Sequence, residues 1–231
     1  MAKSDVKLLG AWPSPFVNRV QIALNLKSVD YEFQEEKFDN KSELLLKSNP
    51  VHKKVPVLIH NDKPICESLI IVQYLDEVWT SGPSILPSDP YDRATARFWA
   101  AYVDDKWFPL LKELRTTEGE EAKAEISKKL KEGLVLLEEA FIKCSKGKGF
   151  FGGERIGYLD IVFGSFLGWL KAVEKIAGLK LVGELVTPGL AAWAERFCSH
   201  EAVKGVIPET DRLVELAKII QARLKAQSAP K

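Results

Sequence analysis

Residues 52–68, HKKVPVLIHNDKPICES, constrain the fold more than any other stretch of the chain. A proline removes a ladder donor, so within an apolar run it belongs at a sheet edge or where the ladder stops. Val57, Leu58 and Ile59 after Pro56 read as a buried strand. The Val55–Pro56 bond is a candidate cis peptide, as roughly one X–Pro bond in twenty is. At such an edge the backbone of Val55 lacks a partner, and an extended peptide would supply one. Glu67 and Ser68 then open a helix. Ser68 suits its cap, the free N–H groups suit a carboxylate, and Glu67 suits an ammonium. An edge between two charged sites fits a small zwitterionic peptide. On this stretch alone the plainer reading, a turn proline and an ordinary helix cap, comes first.

The flanking pattern supplies an architecture. Val6 to Ala11 reads as a strand, broken by Trp12-Pro13-Ser14-Pro15 and followed by a helix from Phe16 to Leu26. Tyr31 to Gln34 alternates as a strand, and Asp39 to Lys47 holds a short helix ending before Asn49-Pro50. Val55 to Ile59 and Pro64 to Cys66 read as strands about the turn residues Asn61-Asp62-Lys63. Ser68 to Trp79 reads as a helix. The order β-α-β-α-β-β-α predicts a small α/β layer of thioredoxin-like type over residues 1–80. Residues 81–90, rich in proline, read as a linker.

Residues 91–231 read as all helix. Tyr91 to Arg115 is a long aromatic helix that Pro109 should bend. Glu120 to Ile142 follows, then a Gly/Lys loop over 146–153 that lacks a phosphate-loop pattern. Tyr158 to Ile176, nearly all apolar until Lys171, is expected to be one central helix. Gly157 would cap it, with Asp160 reaching back to the backbone in a structural role. Gly189 to Cys198 and Glu209 to Leu224 are the remaining predicted helices, with frayed last residues.

Composition narrows the function classes. A net charge of +1 on 231 residues gives no electrostatic case for nucleic acid or an anionic membrane. Cys66, Cys144 and Cys198 form no CxxC pair, and the three histidines are far apart, so neither a disulfide framework nor a metal site is indicated. No signal-type apolar core opens the chain and no apolar run is long enough to span a bilayer. A reduced, cytosolic protein is the expectation.

AWPSPF at 11–16, NKSELLLKSNPVHKKVPVLIHN at 40–61, CES at 66–68, LPSDPYDRA at 86–94 and FFGGERIGYLDI at 150–161 together resemble the plant tau-class glutathione S-transferases. The resemblance spans nearly the whole chain. It implies a thioredoxin-like N-terminal domain, a helical C-terminal domain and a cytosolic homodimer. It also implies detoxifying conjugation of glutathione, a co-substrate with no further cofactor, to small electrophiles, with peroxide reduction as a side activity. A carrier of apolar metabolites or hormones is the alternative.

Residue by residue, it makes Ser14 the catalytic hydroxyl. Lys41 and Lys54 would meet the glycine-end carboxylate of glutathione, Val55 its cysteinyl backbone, and Glu67 and Ser68 its γ-glutamyl end. Phe16, Phe108, Lys112, Arg115 and Trp169 would line the electrophile pocket. Arg115 stands where the family often has an aromatic, which hints at anionic or polarised acceptors. Arg19 is left open, either adding positive potential near Ser14 or pairing with a surface acid.

Overall fold

A computed structural model describes residues 5–37, 39–183 and 185–228, with the side chains of the last helix as far as Arg223. Strand β1 (Val6–Gly10) leads through the Trp12-Pro13 turn into helix α1 (Pro15–Leu26) and back to β2 (Glu32–Glu35), which lies parallel to β1. Helix α2 (Glu43–Ser48), the hairpin β3 (Val57–His60) and β4 (Lys63–Cys66), and helix α3 (Ser68–Val78) complete this half. The strand order is β2-β1-β3-β4, with β3 antiparallel to both neighbours. Asn61 and Asp62 both take positive φ, the backbone that a tight two-residue hairpin needs.

Period-two alternation decides what covers each face of the sheet. Leu9 and Val57 point to one side and meet Leu45 of α2. Val6, Leu8 and Leu58 point to the other and join Val17, Val20 and Leu24 of α1 and Ile71, Val72 and Leu75 of α3. The sheet corrects one expectation. β3 is an inner strand, so Pro56 sits at no edge; it stands just ahead of the ladder, where its missing N–H breaks no pair. The Val55–Pro56 bond is cis.

Between α3 and helix α4 (Pro90–Tyr102) the chain is tied down by Asp76, which accepts from Ile85 N (2.8 Å) and Leu86 N (2.9 Å) and pairs with buried Lys27 at 2.7 Å. The predicted helix from Tyr91 to Arg115 is interrupted. Residues 103–107 form a π turn, with Phe108 N–H bonded to Val103 O, before α5 (Phe108–Thr116) resumes. Pro109 falls in the first turn of α5, and the wider π turn moves the Asp105 carbonyl that its ring would meet in a regular helix.

The remaining helices are α6 (Glu120–Ser145), α7 (Tyr158–Gly164), α8 (Leu167–Ala177), α9 (Pro188–Ser199) and α10 (Thr210–Ser228). The single central helix expected over 158–176 is thus two, parted at Ser165 and Phe166. Apolar pattern continued through the break because α7 and the start of α8, as far as Leu170, are buried all round, while Lys171, Lys175 and Ile176 further along α8 are exposed. Asp160 is structural, as expected. Its carboxylate accepts from Gly157 N, Gly152 N, Phe151 N and Trp193 Nε1 at 2.7–2.9 Å, joining the 150–157 loop to α9. Fraying was expected of the last residues; α10 runs to Ser228, and residues 229–231 lie outside the described ones.

Candidate active site

Ser14 is placed by local chemistry. Its φ of −83° and ψ of 115° make it the N-cap of α1, and Pro15 fills the first helical position, where a missing N–H is harmless. Ser14 N bonds to Ala11 O at 3.0 Å, fixing the turn out of β1. Its Oγ accepts only a long bond, 3.4 Å, from Val17 N, which leaves the hydroxyl proton free to be donated. The hydroxyl opens onto a cleft of about 790 Å³ between the sheet half and the helices.

One wall comes from the sheet half, with Lys41 and Leu45 around α2, then Lys53, Lys54 and Val55 before the cis bond. Among the described residues the backbone of Val55 makes no hydrogen bond, and Lys41 and Lys54 have no ion-pair partner. The opposite wall is Phe16, Arg115, Trp169 and one face of α10: Leu216, Ile219, Ile220 and Arg223. Trp169 Nε1 donates to Pro13 O at 2.7 Å, which locks α8 against the turn carrying Ser14.

Glu67 and Ser68 stand beside this cleft rather than in its lining. Val57 faces Cys66 across the hairpin, so Val55 and Ser68 lie at the same end of it, each two residues past that pair. Ser68 does not cap α3, contrary to expectation. Glu67 holds the cap position at φ 71°, a sparsely populated region for a residue with a side chain, costing on the order of 1–3 kcal/mol. Ser68 is the first helical residue and nearly buried, and its Oγ accepts from Arg19 Nη1 at 3.2 Å. The half-exposed Glu67 carboxylate lies 3.7 Å from His52 Nε2.

Of the two roles left open for Arg19, the structure shows the pairing with an acid, the partly exposed Asp104. Arg19 is fully buried, and its five N–H donors are all matched: Nε to Ser165 Oγ, Nη1 to Ser68 Oγ and Asp104 Oδ2, Nη2 to Asp104 Oδ1 (2.5 Å) and Val162 O. Its guanidinium also lies under 5 Å from the ring centres of Phe16 and Phe166. The π turn and the α7–α8 break supply the partners Asp104 and Ser165, so two irregularities of backbone serve one buried cation.

The structure therefore brings Ser14, Phe16, Lys41, Lys54, Val55, Arg115 and Trp169 to one cleft, with Glu67 and Ser68 adjoining. Phe108 stacks on Phe166 at 4.2 Å and meets the edge of Phe16 at 5.5 Å, supporting the pocket wall from behind. Lys112 is exposed and does not line the cleft. Sequence reading missed Arg19's partners and the α10 wall. The latter had a signal, since Leu216, Ile219, Ile220 and Arg223 fall at i, i+3, i+4 and i+7. Burial pushes the thiols of Cys66, Cys144 and Cys198 up, the nearby Glu67 charge adding to the shift at Cys66, so none is an activated nucleophile. Among the described residues no three His, Cys, Asp or Glu side chains gather to hold a metal, and no helix is long and apolar enough to cross a membrane.

Comparison with known proteins covers nearly the whole chain. The model of the glutathione S-transferase N-terminal domain matches residues 4–77, and that of the C-terminal domain matches residues 96–201. Glutathione S-transferase U17 of Arabidopsis thaliana is 62% identical over 221 residues, spanning 95% of this chain and 97% of that protein. Glutathione S-transferase U18 of the same plant is 58% identical, spanning 94% of this chain and 96% of that protein. The crystal structure of a tau-class glutathione S-transferase from mango, Mangifera indica, shares 66% identity and a TM-score of 0.92, covering 95% of this chain and 100% of that one. A rice enzyme solved in complex with glutathione shares 37% identity and a TM-score of 0.87, covering 95% and 99%. A thioredoxin-like half, a helical half and this degree of likeness together show that the chain belongs to the tau class of the glutathione S-transferases.

Proposed function

We propose that Ser14 donates its hydroxyl proton to the sulfur of reduced glutathione and holds it as thiolate for attack on an electrophile. The reaction class, glutathione transfer, is that of the family. The observation that carries the assignment is a hydroxyl at a helix N-terminus facing a cleft with the unpaired backbone of Val55 on one side and an aromatic wall on the other. Val55 N–H and C=O would pair with the cysteinyl unit, and Lys41 and Lys54 would face the glycyl carboxylate. Glu67 would take the γ-glutamyl ammonium, while Ser68 and the free N–H groups at the start of α3 would take its carboxylate. Ser68 Oγ already accepts a hydrogen bond from Arg19, so its own proton is free to be donated to that carboxylate. The electrophile would lie against Phe16, Trp169 and Arg115. Lys112, outside the cleft, has no part in this reading.

Glutathione is the co-substrate, and no resident cofactor is needed. Most of the acceleration comes from holding the electrophile against the sulfur, because thiolate formation alone yields only a few-fold gain. The carrier alternative shares the apolar wall and differs in turnover. Calorimetry with reduced glutathione, followed by turnover of a chloronitrobenzene acceptor, separates the two. Absence of glutathione uptake by folded protein refutes both the site and the reaction.

A cytosolic homodimer completes the proposal. Ile70 of α3 (55% exposed) and Phe98 of α4 (63% exposed) are large apolar groups on helices held together by Arg97 and Gln73 at 2.6 Å. That face suits a second copy. A monomeric mass in solution would count against it.

A further inference from the structure

Two arginines have opposite surroundings. Arg19 is buried with every donor matched. Arg115 is half-buried in the last turn of α5, with no hydrogen bond and no ion-pair partner among the described residues. Its guanidinium lies 4.9 Å from the centre of the Trp169 ring and lines the cleft that Ser14 faces. Taking a charge out of water without a partner is unfavourable, and burial accordingly pulls the Arg115 pKa down from its ordinary value. A guanidinium nevertheless stays charged at neutral pH. The charge could have stayed in solvent at the α5 C-terminus, where a cation is favourable. It is instead laid on an aromatic face and turned into the cleft.

Its platform is fixed relative to the reacting position, because Trp169 is bonded to Pro13 O and Pro13 precedes Ser14. The same cleft is lined by the apolar Phe16, Leu216, Ile219 and Ile220 and, from the sheet half, by Lys37, Lys41, Lys53 and Lys54. Arg223, one turn beyond Ile219 and Ile220, faces the same space and among the described residues reaches Asp39, at 3.9 Å between two mostly exposed side chains. Among the described residues the acid lining the cleft is Glu36, which already accepts from Ser42 N and Ser42 Oγ.

We propose that this cleft selects electrophiles carrying a carboxylate, with the Arg115 guanidinium holding the carboxylate, Arg223 assisting, and an apolar body spanning the distance to the sulfur at Ser14. A planar carboxylate matches the fork of a guanidinium, and Trp169 orients that fork before the guest arrives. This rests on the glutathione-transfer reading of the cleft. For a chloronitrobenzoate the thiolate sulfur attacks the chlorine-bearing carbon and forms a C–S bond. The C–Cl bond breaks with its electron pair leaving on chloride, and the thiol proton goes to solvent.

The test compares a chloronitrobenzoate with the matching chloronitrobenzamide, which differ in charge but share the reacting carbon. Tryptophan fluorescence without glutathione should show the benzoate binding wild-type full-length protein at least about tenfold tighter, the lower end for a hydrogen bond to a charged group. Arg115→Gln should bring the benzoate-to-benzamide ratio close to one, Arg115→Lys should keep part of it, and Arg223→Gln should reduce it less. The kcat/KM ratios should follow the same order. A wild type without preference, or Arg115 variants that weaken both ligands equally, would overturn the proposal. Preference for the benzoate without glutathione uptake would overturn the transfer reading and leave the carboxylate site standing.

Discussion

Replacing Ser14 by alanine isolates what one hydroxyl contributes. A thiol of pKa about 8.5 is roughly 3% ionised at pH 7. A hydrogen bond to a charged group contributes about 1.5–3 kcal/mol, or roughly one to two pKa units. At the upper end the bound thiol has a pKa of about 6.5 and is roughly three-quarters ionised at pH 7, a gain of about 25-fold. A Brønsted slope of about 0.4–0.5 takes back roughly eightfold, because the more acidic thiolate is the poorer nucleophile. Wild type should then exceed Ser14→Ala by about tenfold at pH 6 and about threefold at pH 7, with the advantage gone near pH 8. Any further loss from mispositioned sulfur multiplies all three figures equally, so the slope of the ratio is the diagnostic. The assay is kcat/KM for one acceptor at saturating glutathione across that range, which reports the ionisation of the bound thiol. The same change removes the N-cap of α1, whose bond to Val17 is already long, so stability should fall by about 1 kcal/mol and Tm by roughly 2–4 °C. A wild-type-to-variant ratio that does not change with pH would refute thiolate stabilisation by Ser14.

Other substitutions probe the supports. Arg19→Met strands Asp104 and removes a donor from Ser68, so it should cost about 3 kcal/mol or more, while Arg19→Met with Asp104→Leu should recover part of that in chemical denaturation; equal loss in both would deny the pairing. Trp169→Phe deletes the bond to Pro13 O and should cost about 1 kcal/mol and raise KM for the electrophile more than for glutathione, a split that steady-state kinetics reads directly. Burial pushes the Asp160 carboxyl up to about 6 despite four N–H donors. The folded state therefore holds a proton that the unfolded chain, titrating near 4, has lost. Stability from this group is present below about pH 4 and lost as pH rises through about 6. The Tm difference between wild type and Asp160→Asn should shrink across that window, and a constant difference would show that Asp160 does not titrate there.

What could be read from the chain was what neighbouring residues decide. Ser14 ahead of Pro15 suits the N-cap and first position of a helix, and alternation in β1 and β3 names the two faces of the sheet. Asp160 three residues after Gly157 reaches back to the backbone by helix geometry alone. Element order was legible for the same reason. Breaks inside uniformly apolar or uniformly helical stretches were not, because the residues on either side carry the same local preference. That hid the division at Ser165 and the π turn at 103–107.

Interactions between distant segments required the folded chain. Arg19 meets Ser68, Asp104 and Ser165 across 49, 85 and 146 residues, and nothing next to Arg19 announces any of them. Only folding showed that Ser68 serves this cation rather than its own helix, that Arg115 rests on Trp169, and that α10 closes the cleft. The physical reason is range. Caps, turns and alternation are settled within a few residues, whereas the matching of a buried charge depends on which surfaces meet when the core closes.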